Sequence, residues 1–94
     1  MEATFKVHKK WTEDEVVART AEVIGFDDYC PPWTQESGHK WVLNASNDWW
    51  LDFCGPWCTP IGIEADYFSY KIAGRYADQK LVDALTVVLE YIFR

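Results

Sequence analysis

The residues best suited to chemistry are three cysteines and one histidine in the middle of the chain. Cys54 and Cys58 are separated by Gly-Pro-Trp, and Cys30 and His39 lie upstream. Thiolates and imidazole are the ligands of tetrahedral zinc, so these four side chains form one candidate metal site. Three residues separate Cys54 from Cys58, a spacing that zinc-binding turns do not favour. Buried or partly buried thiols are therefore the favoured interpretation. A redox turn is a further alternative. We therefore expect no metal and no cofactor.

Catalytic patterns are weaker than the cysteine pattern. His39 with Cys54 or Cys58 could form a nucleophile and its base, but no turn motif places the nucleophile. The chain has no glycine-rich phosphate loop, and neighbouring acidic residues in polar loops normally form turns. We therefore expect a protein that is not an enzyme. The paired carboxylates are Asp27 with Asp28 and Glu64 with Asp66.

Tryptophan is unusually abundant, with six in 94 residues. Trp33 and Trp57 lie in two proline-containing segments without periodicity, and Trp50 lies in a predicted strand. Exposed tryptophans are preferred anchors of protein interfaces and also stack on nucleic-acid bases. The alternative is that these rings close over the sheet as a small second core.

Composition limits the classes of function. The 94 residues carry nine basic and fifteen acidic side chains, a net charge of −6. This length predicts one domain over residues 1–94, and 49% hydrophobic residues exclude general disorder. The negative charge argues against direct binding to nucleic acid, which needs a basic surface. With neither an apolar run of membrane-spanning length nor a signal peptide, we expect a cytoplasmic protein.

The elements that must position these residues follow from periodicity and capping signals. Thr12 and Glu15 form a capping box, and Gly25 is a natural stop, which predicts a helix over 13–24. The irregular segments are 27–39 and 55–66. The fold is predicted to be α+β: an antiparallel sheet of three to four strands, packed by a long C-terminal helix with a shorter helix near the N-terminus. The predicted strands are 3–9, 40–44, 49–53 and 67–73, and the closing helix is 78–93.

Alternation sorts the predicted strands into an apolar face and a mixed face. The apolar face is Phe5, Val7, Trp41, Leu43, Trp49, Leu51, Phe53, Phe68, Tyr70 and Ile72. The mixed face, which contains Trp50, is either covered by the first helix or open to a partner. Helix 78–93 is apolar around more than half of its circumference, so it is either central to the core or shared in a homodimer.

The order of elements resembles that of small phage proteins of the ABA sandwich type. The resemblance rests on the first helix and the segment after it (17–26, Tyr29 and 32–34), on 49–53 and on the Ala/Leu-rich run 81–89. It implies a sheet between helices in a short phage accessory protein, and it implies no catalytic residues.

Three hypotheses for the function follow. The first is a non-catalytic acidic binding protein, a phage-encoded inhibitor of the anti-CRISPR or anti-defence type. It would block the basic nucleic-acid-binding surface of a host protein, because residues 12–70 carry eleven acidic and two basic side chains, a local charge of −9. The second is a binder of a nucleotide-like small molecule, and the third is a zinc-stabilised domain. The predicted partner contacts are Trp33, Trp50, Trp57, Asp27, Asp28, Glu64 and Asp66. The alternative ligand contacts are Tyr29, Trp33, Trp50 and Trp57, and the alternative metal ligands are Cys30, His39, Cys54 and Cys58.

Overall fold

A computed structural model describes residues 1–25, 33–35, 38–43, 48–55 and 66–94, and the side chains of these residues outside 33–39. This part of the chain is α+β, with strands and two helices in the order β-α-β-β-β-β-α. The elements are β1 (Glu2–His8), α1 (Glu13–Ile24), β2 (Trp33–Gln35), β3 (Gly38–Val42), β4 (Trp49–Gly55), β5 (Tyr67–Gly74) and α2 (Gln79–Ile92).

The four strands predicted from alternation are present, together with a short edge strand, β2. The strands form one antiparallel sheet in the order β1-β5-β4-β3-β2. The prediction that 27–39 is irregular is therefore wrong for part of that segment, because Trp33–Gln35 pairs with residues 38–40 of β3. Backbone hydrogen bonds to a neighbouring strand can hold such a short strand without the apolar alternation on which the prediction relied.

The first helix follows its sequence signals closely. Thr12 Oγ1 accepts a hydrogen bond from the Glu15 N–H at 3.2 Å, and Glu15 Oε1 accepts one from the Thr12 N–H at 3.0 Å. Gly25 has a φ of 101°, in the left-handed region, and its N–H donates to the carbonyl oxygens of Ala21 and Glu22. The capping box and the glycine stop therefore confirm the predicted bounds of this helix.

The core lies on one face of the sheet. All ten side chains predicted for the apolar face belong to one hydrophobic cluster or pack against it. Val16, Val17 and Ala21 of α1 and Val82 and Leu89 of α2 join that same cluster. Both helices therefore cover the apolar face, and the alternative in which α1 covers the mixed face is wrong. A helical layer on the other face, which the ABA resemblance implies, is not among the described elements.

The last helix also closes one edge of the sheet. The Lys6 N–H of edge strand β1 donates to Glu90 Oε1 at 3.1 Å, and the His8 N–H donates to the Phe93 carbonyl at 2.8 Å. Gln79 Nε2 donates to the Glu2 carbonyl at 3.1 Å. These bonds satisfy outward-pointing backbone groups of β1 that would otherwise invite pairing with another strand.

Helix α2 buries one side and exposes another. Val82, Leu89 and the adjacent Phe93 are fully buried. The exposed large apolar side chains of the helix are Leu81, Val87, Val88 and Tyr91, with exposed fractions of 49%, 70%, 46% and 70%. The helix is therefore a peripheral layer, and the alternative of a fully enclosed central helix is wrong.

Candidate functional site

Only part of the predicted partner surface lies in the described residues. Trp50 is in β4, and Asp66 directly precedes β5. Trp33 is in β2 and His39 in β3, where the backbone alone is described. The other predicted contacts and ligands, which lie outside the described residues, are Asp27, Asp28, Tyr29, Cys30, Trp57, Cys58 and Glu64. Their proposed roles remain predictions.

The structure does not bring Trp50 and Asp66 together. Trp50 is the cross-strand neighbour of Ala73, near the end of β5. Asp66 precedes the opposite end of the same strand, roughly 20 Å away at the ordinary rise per residue. Its carboxylate is exposed, and Oδ1 pairs with Lys9 Nζ at 3.2 Å. Asp66 therefore belongs to a different part of the surface from Trp50.

Trp50 lies half-buried on the mixed face with two cations against its ring. Lys40 Nζ is 5.2 Å from the ring centroid, and the Arg75 guanidinium carbon is 5.1 Å from it. Both distances are within the range in which a cation is attracted to the face of an indole. The ring is therefore held by charged neighbours rather than by the apolar core.

Strand pairing explains how these cations reach the ring. Lys40 is directly opposite Asp52, and Val42 is directly opposite Trp50, so Lys40 and Trp50 are diagonal neighbours on the same face. Arg75 follows β5, and its N–H donates to the Asp48 carbonyl oxygen at 2.7 Å. That hydrogen bond holds the residue after β5 beside the start of β4, where Trp50 stands.

A charged row continues across the same face. Lys71 Nζ lies 3.5 Å from Glu2 Oε2 and 3.6 Å from Asp52 Oδ2. Burial acts to lower the pKa of Lys71, but the two carboxylates outweigh burial, and the net effect is a raised pKa. Asp52 Oδ1 is shielded from solvent and has no hydrogen-bond partner among the described residues. Lys71 therefore stays charged and holds β1, β5 and β4 together at the surface.

We call this group the Trp50 surface. Its members are Trp50, Lys40, Lys71, Arg75, Glu2 and Asp52. Three cations and two carboxylates give it a local charge of +1, although the whole chain carries −6. Sequence patterns indicated acidic residues as the partner contacts beside the tryptophans and did not indicate these cations. Alternation had placed Lys71 on this face, but Lys40 and Arg75 are brought in by strand register and by the turn after β5.

Of the four predicted metal ligands, Cys54 is the one whose side chain the structure describes. Cys54 is half-buried in β4, at a bulge between Phe53 and Gly55, where Gly55 has a φ of 72°. The side chains of the other three predicted ligands are not described. Within the described ranges, no three His, Cys, Asp or Glu side chains are grouped so as to hold a metal ion. No described helix is long and apolar enough to cross a membrane.

Comparison of the chain with protein-family models, with curated proteins and with solved structures finds no match.

Proposed function

We propose that this protein is a small non-catalytic binding protein that covers a surface of a partner protein, with Trp50 as the central contact. The observation that supports this most directly is the position of Trp50. It stands half-buried on the sheet face that neither described helix covers, with Lys40 and Arg75 against its ring.

This arrangement has the composition of an interface hot spot. Tryptophan and arginine are enriched among the residues that dominate binding energy. The cation–ring contacts hold Lys40 and Arg75 in place before binding, so less side-chain entropy is lost when a partner docks. The face of a β-sheet is broad, which suits a protein partner better than an enclosed small molecule.

The chemistry of the partner follows from charge. Lys40 and Arg75 would meet carboxylate or carbonyl oxygens of the partner directly at Trp50. The net charge of −6 would instead speed association with a protein that is basic overall. This charge and the phage resemblance support the finer proposal of an anti-defence inhibitor that blocks a nucleic-acid-binding protein. Asp27, Asp28, Glu64 and Asp66 remain the proposed contacts for basic groups.

The test is a binding measurement against purified bacterial nucleases and other nucleic-acid-binding effectors, with and without competing DNA. Each effector that binds the wild-type protein is then measured with Trp50→Ala and Trp50→Phe. We expect Trp50→Ala to weaken binding by about 30-fold or more, as for an interface hot spot, and Trp50→Phe to weaken it less.

Tyr91→Ala is the matched control, because Tyr91 is 70% exposed on α2, away from the Trp50 surface. Circular dichroism and urea unfolding establish that each variant is folded before its affinity is compared. An affinity for Trp50→Ala within threefold of that for Tyr91→Ala would contradict the role of Trp50. Binding that DNA does not compete with would contradict the nucleic-acid-binding partner while leaving the Trp50 contact in place.

A second candidate is a nucleotide-like ligand at the same tryptophan. The two cations beside the Trp50 ring favour it, because they would meet a phosphate while the base stacks on the aromatic surface. Nucleotides should then quench tryptophan fluorescence in the wild type and not in Trp50→Phe. Quenching that is equal for a nucleotide and for its uncharged nucleoside would count against this candidate.

A homodimer through helix 78–93 is proposed from the exposed side of α2. Leu81, Ala84, Val88 and Tyr91 are spaced 3, 4 and 3 residues apart, which is the spacing of a coiled-coil seam. The eleven residues from Leu81 to Tyr91 span roughly 15 Å, which is too short to bury the roughly 800 Å² per partner of a stable interface. We therefore expect a weak dimer whose population rises with protein concentration.

A further inference from the structure

A recess lies beside the closed edge of the sheet, toward the opposite end of β5 from Trp50. It is a groove with a volume of about 340 Å³. We call it the α2 groove, and it is lined by Lys6, Tyr67, Val87, Glu90, Tyr91 and Arg94. Its volume is at the lower end of the range for small-molecule sites, which suits one compact ligand.

The two sides of the groove are held in a fixed relation. Lys6 is on β1, and Tyr67 begins the neighbouring strand β5. The Glu90 carboxylate anchors the helix by accepting the Lys6 N–H at 3.1 Å. The His8 ring packs edge-on against the Tyr67 ring, with centroids 5.2 Å apart. The groove is therefore preformed by the same contacts that close the sheet edge.

The helix supplies the other wall at regular spacing. Val87, Glu90, Tyr91 and Arg94 are separated by 3, 1 and 3 residues, so they project from one side of α2 and its last turn. Val87 and Tyr91 are each 70% exposed, and the Arg94 guanidinium carbon lies 4.9 Å from the centroid of the Tyr91 ring. This side offers an apolar and aromatic wall with a cation held at its end.

Charge decides which ligand the groove would accept. The side chains of Lys6 and Arg94 contribute two positive charges and that of Glu90 one negative charge, a net side-chain charge of +1. Within the described part of the chain, neither Lys6 Nζ nor the Arg94 guanidinium forms an ion pair with a carboxylate. These two cations, which form no ion pair among the described residues, lie beside two tyrosine rings and complement a monoanion that carries an aromatic ring.

We propose that the α2 groove binds a small aromatic carboxylate. The carboxylate would accept hydrogen bonds from Lys6 Nζ and the Arg94 guanidinium, and the ring would pack between Tyr67 and Tyr91. A monoanion matches the groove's net side-chain charge of +1 better than a phosphate monoester does, because the latter carries nearly two negative charges at neutral pH. This site shares no residue with the Trp50 surface, and its Tyr67 lies at the opposite end of β5 from Ala73, the cross-strand neighbour of Trp50.

The test uses three probes that separate the ring from the charge: 3-phenylpropionate, phenethylamine and propionate. Each is titrated into ¹⁵N-labelled full-length protein and followed by the amide signals of the groove residues. We expect saturable shifts with 3-phenylpropionate and at least tenfold weaker binding of the other two, which lack the carboxylate or the ring.

Two variants and one control locate the site. Arg94→Gln and Tyr91→Ala should each weaken binding of 3-phenylpropionate, Arg94→Gln by about tenfold. Lys80→Gln, on the same helix but outside both the groove and the proposed dimer seam, should leave it unchanged. Phenethylamine binding as tightly as 3-phenylpropionate, an absence of saturable shifts, or shifts centred on Trp50 would each overturn the proposal. None of these results depends on the partner proposed for the Trp50 surface.

Discussion

Replacing Phe93 by alanine should remove a large part of the stability of the fold. Phe93 is fully buried after the last turn of α2. Its ring centroid lies 6.3 Å from that of Phe5, nearly parallel, and 5.3 Å from that of Trp11, edge to face. A Phe→Ala change in a core costs about 3–5 kcal/mol, and the two ring contacts place this one toward the upper end.

This cost can be compared with the whole stability of the protein. A domain of this length has a free energy of unfolding of roughly 5–14 kcal/mol. A loss of about 4 kcal/mol should lower the Tm by roughly 15–30 °C. The hydrogen bond from the His8 N–H to the Phe93 carbonyl involves only the backbone. The decrease in the free energy of unfolding therefore reports the contribution of the Phe93 side chain.

The assay is urea unfolding followed by far-UV circular dichroism, with Tyr91→Ala as the control from the exposed side of the helix. Tyr91 is 70% exposed, so its replacement should change the free energy of unfolding by only about 0.5 kcal/mol. Phe93→Leu keeps an apolar side chain but loses the ring contacts, so it should lower the free energy of unfolding by roughly 1–1.5 kcal/mol. This variant should remain folded even if the alanine variant does not. If Phe93→Ala and Tyr91→Ala differ by less than about 1 kcal/mol, the assignment of α2 to one buried and one exposed side is refuted.

Four further outcomes are expected. Burial raises the pKa of Tyr70, so folding favours its neutral phenol. The contribution of Tyr70 to the free energy of unfolding should therefore be constant below about pH 10, where tyrosines of the unfolded chain begin to ionise, and should decrease above that pH. In urea unfolding, the free energy of unfolding of Tyr70→Phe should decrease less steeply with alkaline pH than that of the wild type. Val88→Glu should leave a monomer at concentrations where light scattering detects a wild-type dimer; an unchanged mass distribution in the variant would reject the seam. Thr12→Ala should lower the free energy of unfolding by about 1 kcal/mol through loss of the helix cap, and an unchanged urea midpoint would contradict this. Gly74→Ala should cost roughly 1–3 kcal/mol, because the new Cβ would lie 2.9 Å from the Trp49 ring, and a Tm equal to that of the wild type would show that the ring moves aside freely.

The two proposed sites use different parts of the fold, so their tests can separate them. The two sites have no residue in common: the Trp50 surface surrounds Trp50 of β4, and the α2 groove lies between α2 and the ends of β1 and β5 that are farther from Trp50. Substitution of Trp50 should therefore leave binding of 3-phenylpropionate unchanged, and substitution of Arg94 should leave binding of the protein partner unchanged. If each substitution weakens both kinds of binding, the two sites are coupled through β5 or through the overall stability of the fold.

Local sequence signals were sufficient wherever a structure depends on residues close together in the chain. The capping box at Thr12 and Glu15 and the stop at Gly25 determined the bounds of α1, because those bonds join residues at most four positions apart. Alternation within each strand identified the apolar face, since successive side chains must point to opposite sides of a sheet.

The tertiary structure alone decided what depends on distant segments meeting. The pairing of β1 with β5 joins residues 59 to 71 positions apart, and it brings Glu2 to Lys71. The cations beside Trp50 come from β3 and from the turn after β5, and the α2 groove needs α2 to lie against the edge of β1. Periodicity along the chain does not predict strand order or register across such separations, because the packing of the two helices on the sheet determines both. The sequence alone therefore determined both helices, four of the five described strands and the apolar face, and the assembled fold determined which charges surround the half-buried Trp50 ring.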